Sequence, residues 1–364
     1  MEKAFTHQLI KWYTAHKRDL PWRKSDGHTP GAYEIWLSEI MLQQTQVATV
    51  LDYYRKFLKL FPTVQHLAKA DLDTVLKAWE GLGYYARCRN LRKTAQIVSE
   101  QYQGRFPDTI EEMQALPGIG QSTAGAILTF AYNQRQPILD GNVKRVLSRV
   151  YAVTDNIAKP DVIKRMWGYS NNLINAAGDP YSFNQAIMEL GATLCIPKEP
   201  RCLVCPLSNL CKAKAKGIAH ELPVKTKKAP TPHYDIAVGV VWKSGKILIQ
   251  QRPNEGLLGG LWEFPGGKQE PKETLEETVG REIAEELEIE ITVGEKIATV
   301  KHAYTHFKIT LHAYHCNWKS GKPEPKAAQA WLWVQPEELS KYAFPKANKT
   351  VLETLLKELP ALKA

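Results

Sequence analysis

Apolar residues recur at three- and four-residue intervals from the N-terminus to about residue 212, and after residue 233 that rhythm gives way to β-rich runs. A chain whose period changes in this way does not form one uniform layer. It predicts an all-α domain followed by a separate α+β domain. AYEIWLSEIMLQQ (32–44), ARCRNLRKTAQIVSEQY (86–102) and NVKRVLSRVYAV (142–153) carry the helical pattern. Asp71 before LDTVLKAW and Pro107-Asp108 before TIEEMQAL read as helix starts. The stretch KAKAKGIAHELPVKTKKAPTPH (212–233) is basic, Pro-containing and aperiodic, which marks a linker over 213–233. Beyond it, YDIAVGVVWKSGKILIQQR predicts two strands joined at Lys-Ser-Gly. A helix over ETLEETVGREIAEELEI and a strand–loop–strand over KIATVKHAYTHFKITLHAYHCNW complete the 234–364 domain.

Composition narrows the class. With 44% hydrophobic and 24% charged residues the chain has ordinary globular values. No apolar run reaches the ~20 residues of a membrane span. The first 22 residues lack the apolar centre of a signal peptide. A cytoplasmic monomer without membrane association is expected, nucleoid-associated in a bacterium. The formal net charge of +10 attracts polyanions, nucleic acid first, although a basic protein with no such partner is the bland alternative.

Four of the six cysteines crowd into one stretch, Cys195-x6-Cys202-x2-Cys205-x5-Cys211, while Cys88 and Cys316 stand apart. In a reducing compartment that crowding points to metal rather than disulfides. Four thiolates suit tetrahedral zinc or a 4Fe–4S cube. Structural zinc usually takes two C-x2-C pairs and only one is present, so the cube leads and zinc is the runner-up.

LPGIGQSTAGAIL (116–128) sits between two helices. Gly118 and Gly120 let the backbone turn and approach a ligand, and the helix opening near Gln121 aims N–H groups at an anion. The pattern reads as a helix–hairpin–helix that grips a DNA phosphate through Gly118, Gly120 and Ser122 without reading sequence. Downstream, ILDGNVKRV places Asp140 just before a helix, where an isolated Asp is most often an N-cap.

Hairpin, Asp140 and cysteine cluster together resemble the helix–hairpin–helix glycosylases that include endonuclease III. RDLPWR (18–23), SEIMLQQTQV (38–47), EGLGYYARCRNL (80–91), LDGNVKRVLSR (139–149) and FNQAIMELGATLC (183–195) narrow the resemblance to adenine DNA glycosylases of the MutY type. It implies monofunctional removal of adenine mispaired with 8-oxoguanine in duplex DNA, by base flipping, beside a 4Fe–4S cluster. Glu39 matches the acid that protonates adenine N7, and a closed pocket would raise its pKa for that role. Asp140 matches the carboxylate that stabilises the oxocarbenium-like sugar, and Asn142 its supporting partner. Arg18, Trp22 and Gln185 match the adenine pocket; from the residues alone, Trp22 reads as core. Gln44 and Tyr84 match side chains inserted around the orphaned base. Ser122 stands where strand-cutting relatives place a Schiff-base Lys, and a hydroxyl cannot form that imine. The connection KSDGHTPGAYEIWLS between Arg23 and Glu39, with turns at Asp26-Gly27 and Pro30-Gly31, runs longer than the family's, which bears on how Trp22 and Arg23 meet the pocket.

The last domain resembles the Nudix fold. Its box runs Gly267-x5-Glu273-x7-Arg281-Glu282-Ile283-x-Glu285-Glu286-x-Glu288-Ile289. Glu282, Glu285 and Glu286 share one helix face and suit magnesium; a solvated acidic face is the bland alternative. Glycosylases of this type usually have lost the box and use the domain to recognise 8-oxoguanine. Tyr304, Thr305 and His306 match the loop that probes the lesion, and Asn348 in FPKAN matches the base-presenting residue of MutT-type hydrolases. Glu288 replaces the family Gly that ends the helix, and Glu324 is merely the nearest distal carboxylate. The leading expectation is a lesion reader. The alternatives are a domain that also hydrolyses an oxidised nucleoside triphosphate with magnesium, and a plain endonuclease III-like lyase, which Ser122 and the extra domain disfavour.

Overall fold

The computed structural model describes residues 1–25, 27–226, 230–304 and 306–362. The chain gathers into two compact units, Met1–Lys69 with Lys93–Lys228 and Ala70–Arg92 with Ala229–Ala364. The segment 70–92, helical by its period, thus belongs with the C-terminal residues. Asp26 and Thr305 lie outside the described residues.

The first unit is helical. Glu2–His16, Ala32–Leu42, Val47–Leu60, Gln121–Tyr132, Gly141–Val150, Pro160–Ala176 and Pro180–Thr193 are its main helices. They bury Phe5, Leu9, Trp36, Phe57, Ile127, Leu147 and Phe183. Local signals account for several ends. The Ile110–Ala115 helix is capped by Thr109 rather than by Asp108. The reason is reciprocal bonding: the Glu112 N–H donates to the Thr109 hydroxyl, which donates to the Glu112 carboxylate at 2.8 Å. The basic stretch that composition marks as a linker is packed at its start. Lys212–Ala215 is a short helix, and Ala213, Ala219 and Leu222 are buried against Cys202, Cys211 and Ile218. Four spaced apolar side chains hold this stretch against the cysteine loop despite its charge.

In the second unit, Leu72–Trp79 is a helix capped by Asp71, whose carboxylate accepts from Thr74 N at 2.8 Å. Among the described residues seven strands form one mixed sheet: β1 (His233–Lys243), β2 (Lys246–Gln251), β3 (Trp262–Glu263), β4 (Gly266–Lys268), β5 (Glu290–Ala303), β6 (Lys308–Ser320) and β7 (Ala330–Val334). The order is β3-β2-β1-β6-β5, with β4 paired to β1 and β7 to β2, and β1–β6 is parallel. Ser244 and Gly245 both have positive φ, the tight turn that matches the twist between β1 and β2. Alternation along β1 sends Val238 and Val240 to one face and Ala237 and Val241 to the other. The Leu275–Leu287 helix covers the second face through Val279, Ile283 and Leu287. The Lys346–Leu362 helix covers the first through Ala347, Val351 and Leu355. No helix among the described residues is long and apolar enough to cross a membrane.

Candidate active site and cysteine centre

A cavity of about 510 Å³ opens in the helical unit, lined by Arg18, Trp22, Arg23, Glu39, Asp140, Asn142, Gln185 and Glu189, among others. The Ala32–Leu42 helix supplies Glu39, the start of the Gly141–Val150 helix supplies Asp140 and Asn142, and the Pro180–Thr193 helix supplies Gln185 and Glu189. Six residues singled out in the sequence, Arg18, Trp22, Glu39, Asp140, Asn142 and Gln185, therefore meet on one hollow. The long connection after Arg23 does not displace its neighbours: Trp22 is 5% and Arg23 7% exposed. Trp22 is core and wall at once, set edge-on to Tyr54 with ring centroids 5.2 Å apart.

The two carboxylates differ in their surroundings. Burial pushes Glu39 up to about 8, the charge of Asp140 adds to the rise, and Arg23 opposes it. Asp140 is also raised by burial, but the N–H groups of Val143 and Asn142 and the charges of Arg145 and Lys144 pull against that. Asp140 is the N-cap of its helix, accepting from Val143 N at 2.7 Å. The bland reading of Asp140 as a cap is thus correct, and the same residue reaches the cavity. A pair so placed holds a proton on Glu39, while the helix N-terminus offsets part of the burial cost of charge on Asp140.

The sequence reading passed over Glu189, which organises the opposite wall. It is 1% exposed and accepts from Arg18 at 2.6 and 2.9 Å and from Arg23 at 2.6 Å. Burial would raise its pKa, yet these arginines hold it below the ordinary carboxylate range. Arg23 also donates to the Gln185 side-chain oxygen at 2.8 Å, so Gln185 is oriented from behind. Its position four residues after Gln185, on one helix face, was the available signal.

Arg145 was missed as well. Its guanidinium donates to Asn142 Oδ1 at 2.8 Å, to Gly191 O at 2.6 Å and to Cys195 O at 2.7 Å. One turn on, Arg149 donates to Cys195 Sγ at 3.3 Å and to the carbonyls of Ile196, Pro197 and Leu222. Two buried arginines on an otherwise apolar helix face are the sequence sign, since a buried Arg is almost always paired. Cys195, Cys202, Cys205 and Cys211 are all free thiols and line one small cavity with Arg149. Among the described residues no three His, Cys, Asp or Glu are gathered so as to hold a single metal ion.

The remaining predicted residues lie elsewhere. Gly118 has φ +78, Gly120 is the N-cap of the Gln121–Tyr132 helix, and the hairpin is pinned by Thr94, whose hydroxyl donates to Pro117 O. The Ser122 hydroxyl accepts from Leu139 N at 2.9 Å, steadying the residue before Asp140. Gln44 and Tyr84 are exposed, and both stand in left-handed backbone at φ 58 and 49. Left-handed backbone on non-glycine residues is uncommon and concentrates at functional tips.

In the second unit Tyr304 N donates to Phe307 O, closing the β5–β6 turn; Tyr304 is half-buried and His306 exposed. Asn348 is buried and accepts from Phe264 N at 3.1 Å. The acidic face of the box is engaged by protein. Arg281 pairs with Glu273, Glu282 and Glu285, and Gln250 donates to Glu286 at 2.7 Å. Glu324 donates its N–H to Leu287 O and is exposed. Arg281 and Gln250 thus contact the carboxylate face that Glu282, Glu285 and Glu286 share.

With this geometry in place, residues 37–171 match the HhH-GPD superfamily of base excision DNA repair proteins and residues 237–354 match the NUDIX domain. The adenine DNA glycosylase of Homo sapiens is 35% identical, over 98% of this chain and 75% of its own. That of Buchnera aphidicola subsp. Schizaphis graminum is 32% identical over 96% of this chain and 98% of its own. Among solved structures, a thermostable thymine-DNA glycosylase covers 59% of this chain and 97% of its own with a TM-score of 0.53 and 27% identity.

Proposed function

The chain belongs to the adenine DNA glycosylases, enzymes of base excision repair, and from that premise we propose that it removes adenine opposite 8-oxoguanine by drawing the base out of the duplex into the cavity lined by Glu39 and Asp140. One observation carries this reading: two buried carboxylates, of which only Asp140 has N–H donors whose hydrogen bonds offset part of the rise from burial, face one hollow of about 510 Å³. Protonated Glu39 delivers its proton to adenine N7, so the base leaves neutral as the N-glycosidic bond breaks. Ionised Asp140 faces the positive charge that develops on the sugar, and water then adds to C1′. Trp22 supplies a flat apolar wall for the base. The Arg18–Glu189–Arg23–Gln185 network fixes the polar wall. Asn142, held by Arg145, sets the helix start that aims Asp140.

Gly118, Gly120 and the first turn of the Gln121–Tyr132 helix would hold a phosphate of the strand, and the net positive charge supports that partner. Gln44 and Tyr84 would enter the stack, and Tyr304, Thr305, His306 and Asn348 would read the oxidised base. The four cysteines would hold a 4Fe–4S cluster. Four free thiols lining one cavity, with only one C-x2-C pair among them, suit a cube better than zinc. When bound, the cluster would tie the Cys195–Cys211 loop to Arg149 and so support the catalytic helix from behind. The engagement of the box carboxylates by Arg281 and Gln250 supports a reading role for the second domain over hydrolysis.

The test is excision of adenine from an 8-oxoguanine·adenine duplex by wild type and Asp140→Asn, with and without alkali. Because Asn caps a helix about as well as Asp, stability should change by less than about 1 kcal/mol while excision falls at least ~100-fold. Strand breaks should need alkali. An active Asp140→Asn protein would sink the chemistry, and equal nicking without alkali would sink the single-step assignment of Ser122.

A further inference from the structure

The loop bearing Tyr84 is anchored to the same strip of chain that bears Asn348. Glu80, the C-cap of the Leu72–Trp79 helix, is nearly buried. Its carboxylate accepts from Phe344 N at 3.1 Å and from the ammonium groups of Lys77 at 3.0 Å and Lys349 at 3.1 Å. Lys77 also donates to Tyr342 O at 2.9 Å. Burial pushes Glu80 up, but these donors prevail and hold it below the ordinary carboxylate range. Phe344 and Lys349 bracket Asn348, which fastens the strip to Phe264 N, just beyond β3.

On the other side of Glu80 the loop is internally braced. Trp79 Nε1 donates to Gly83 O at 3.0 Å, and Arg87 donates to the carbonyls of Leu82 and Gly83. The Arg87 guanidinium lies 5.3 Å from the centroids of both the Trp79 and the Tyr84 rings. A short rigid path therefore runs from Asn348 through residues 344–349 to Glu80 and on to Tyr84. Asp73 adds a second tie, accepting from Gln251 at 2.7 Å and from Trp262 Nε1 at 3.3 Å.

We infer that Glu80 is a positioning residue that joins the inserting loop to the base-reading strip, so that engagement of an oxidised purine and insertion of Tyr84 beside it occur as one event. The inference rests on the proposed roles of Tyr84 and Asn348. Mechanically, a buried carboxylate shared by a backbone N–H and two ammonium groups resists being pulled apart. Removing it frees each side to move alone, and selectivity for the lesion is the quantity that suffers.

The experiment compares the full chain with Glu80→Ala, Tyr84→Ala and the double variant. Single-turnover excision is measured opposite 8-oxoguanine and opposite guanine, with 2-aminopurine fluorescence beside 8-oxoguanine reporting insertion. Glu80→Ala should reduce the preference for 8-oxoguanine about tenfold and shrink the fluorescence change. Glu80→Gln, which keeps an acceptor for Phe344 N, should recover part of both. The double variant should lose no more preference than Tyr84→Ala, whereas independent structural damage would add. If Tyr84→Ala alters both readouts but Glu80→Ala alters neither, the coupling is overturned. If Tyr84→Ala itself alters neither, the insertion reading fails and the inference with it. Should Glu80→Ala fail to fold, Lys349→Met removes one tie from the reading side, and an unchanged preference in that variant overturns the inference equally.

Discussion

Glu39 is where a single residue's environment has the most direct consequence. Its ordinary pKa of 4.5 is raised to about 8 by burial and by the charge of Asp140. Excision should therefore fall as pH rises through about 8, because the acid has lost its proton. Glu39→Gln should lower the single-turnover rate by about 10²–10⁴ and abolish that descending limb. The same shift has a stability sign. The folded chain keeps a proton that the unfolded chain releases near 4.5, so Glu39 weakens the fold progressively as pH climbs from 4.5 to 8. Glu39→Gln should accordingly raise Tm more at pH 8 than at pH 5; an equal change at both would show that Glu39 ionises normally. The residue and the acid role proposed for it came from a motif in the chain. Glu189 did not, because its meaning lies in Arg18, 171 positions away, and no local pattern announces that meeting. Breaking such a buried pair costs about 3–5 kcal/mol, which makes Glu189 a structural condition for the pocket.

Elements carry the next layer, and here local chemistry was legible while packing was not. The caps at Asp71 and Asp140, the Ser244-Gly245 turn and the Leu275–Leu287 helix all follow from residues within a few positions. Helix contacts do not. The Pro180–Thr193 helix approaches the Gly141–Val150 helix so closely that a Cβ on Gly191 would lie 2.7 Å from Asn142 Cβ and 3.3 Å from its backbone. Gly191→Ala should destabilise by about 1–3 kcal/mol and slow excision about tenfold or more by shifting Asp140. Unchanged excision in a destabilised protein would show that this helix start does not limit the chemistry. The opposite case is Glu288, which ends the Leu275–Leu287 helix in left-handed backbone at φ 54, where the resemblance called for Gly. Its exposed ion pair with Lys326 contributes little. Glu288→Gly should therefore raise stability by up to about 1 kcal/mol in urea unfolding; a loss would mean that the ion pair outweighs the strain.

At the scale of the whole molecule one helical segment has partners that its period does not announce. The helical period resumes on either side of the Asp71 start and the Gly81-Leu82-Gly83 break, and nothing in it assigns 70–92 to a different unit from its neighbours. Yet this segment forms one compact unit with the C-terminal residues. The ties are long-range: Asp73 to Gln251 and Trp262, Lys77 to Tyr342, Glu80 to Phe344 and Lys349, and Arg89 to the carbonyls of Gly259 and Gly256. Leu76 packs at 3.0 Å from where a Gly260 Cβ would stand, and Gly260 has φ +78, so a larger residue there would be strained and would push Leu76 aside. Each hydrogen bond contributes about 1 kcal/mol net, those to charged groups more, and together they are a sizeable part of the stability of a small domain. A truncated chain of residues 230–364 should then unfold at a lower temperature than the corresponding transition in the full chain. Adding a peptide of residues 70–92 should raise its Tm with peptide concentration, as binding to the folded state requires. The same peptide with Glu80→Ala and Asp73→Ala should raise it less. A Tm that matches the full chain and ignores the peptide would mean that the grouping is geometric only, and that the two ends of the path through Glu80 stabilise one another no more than any exposed loop would.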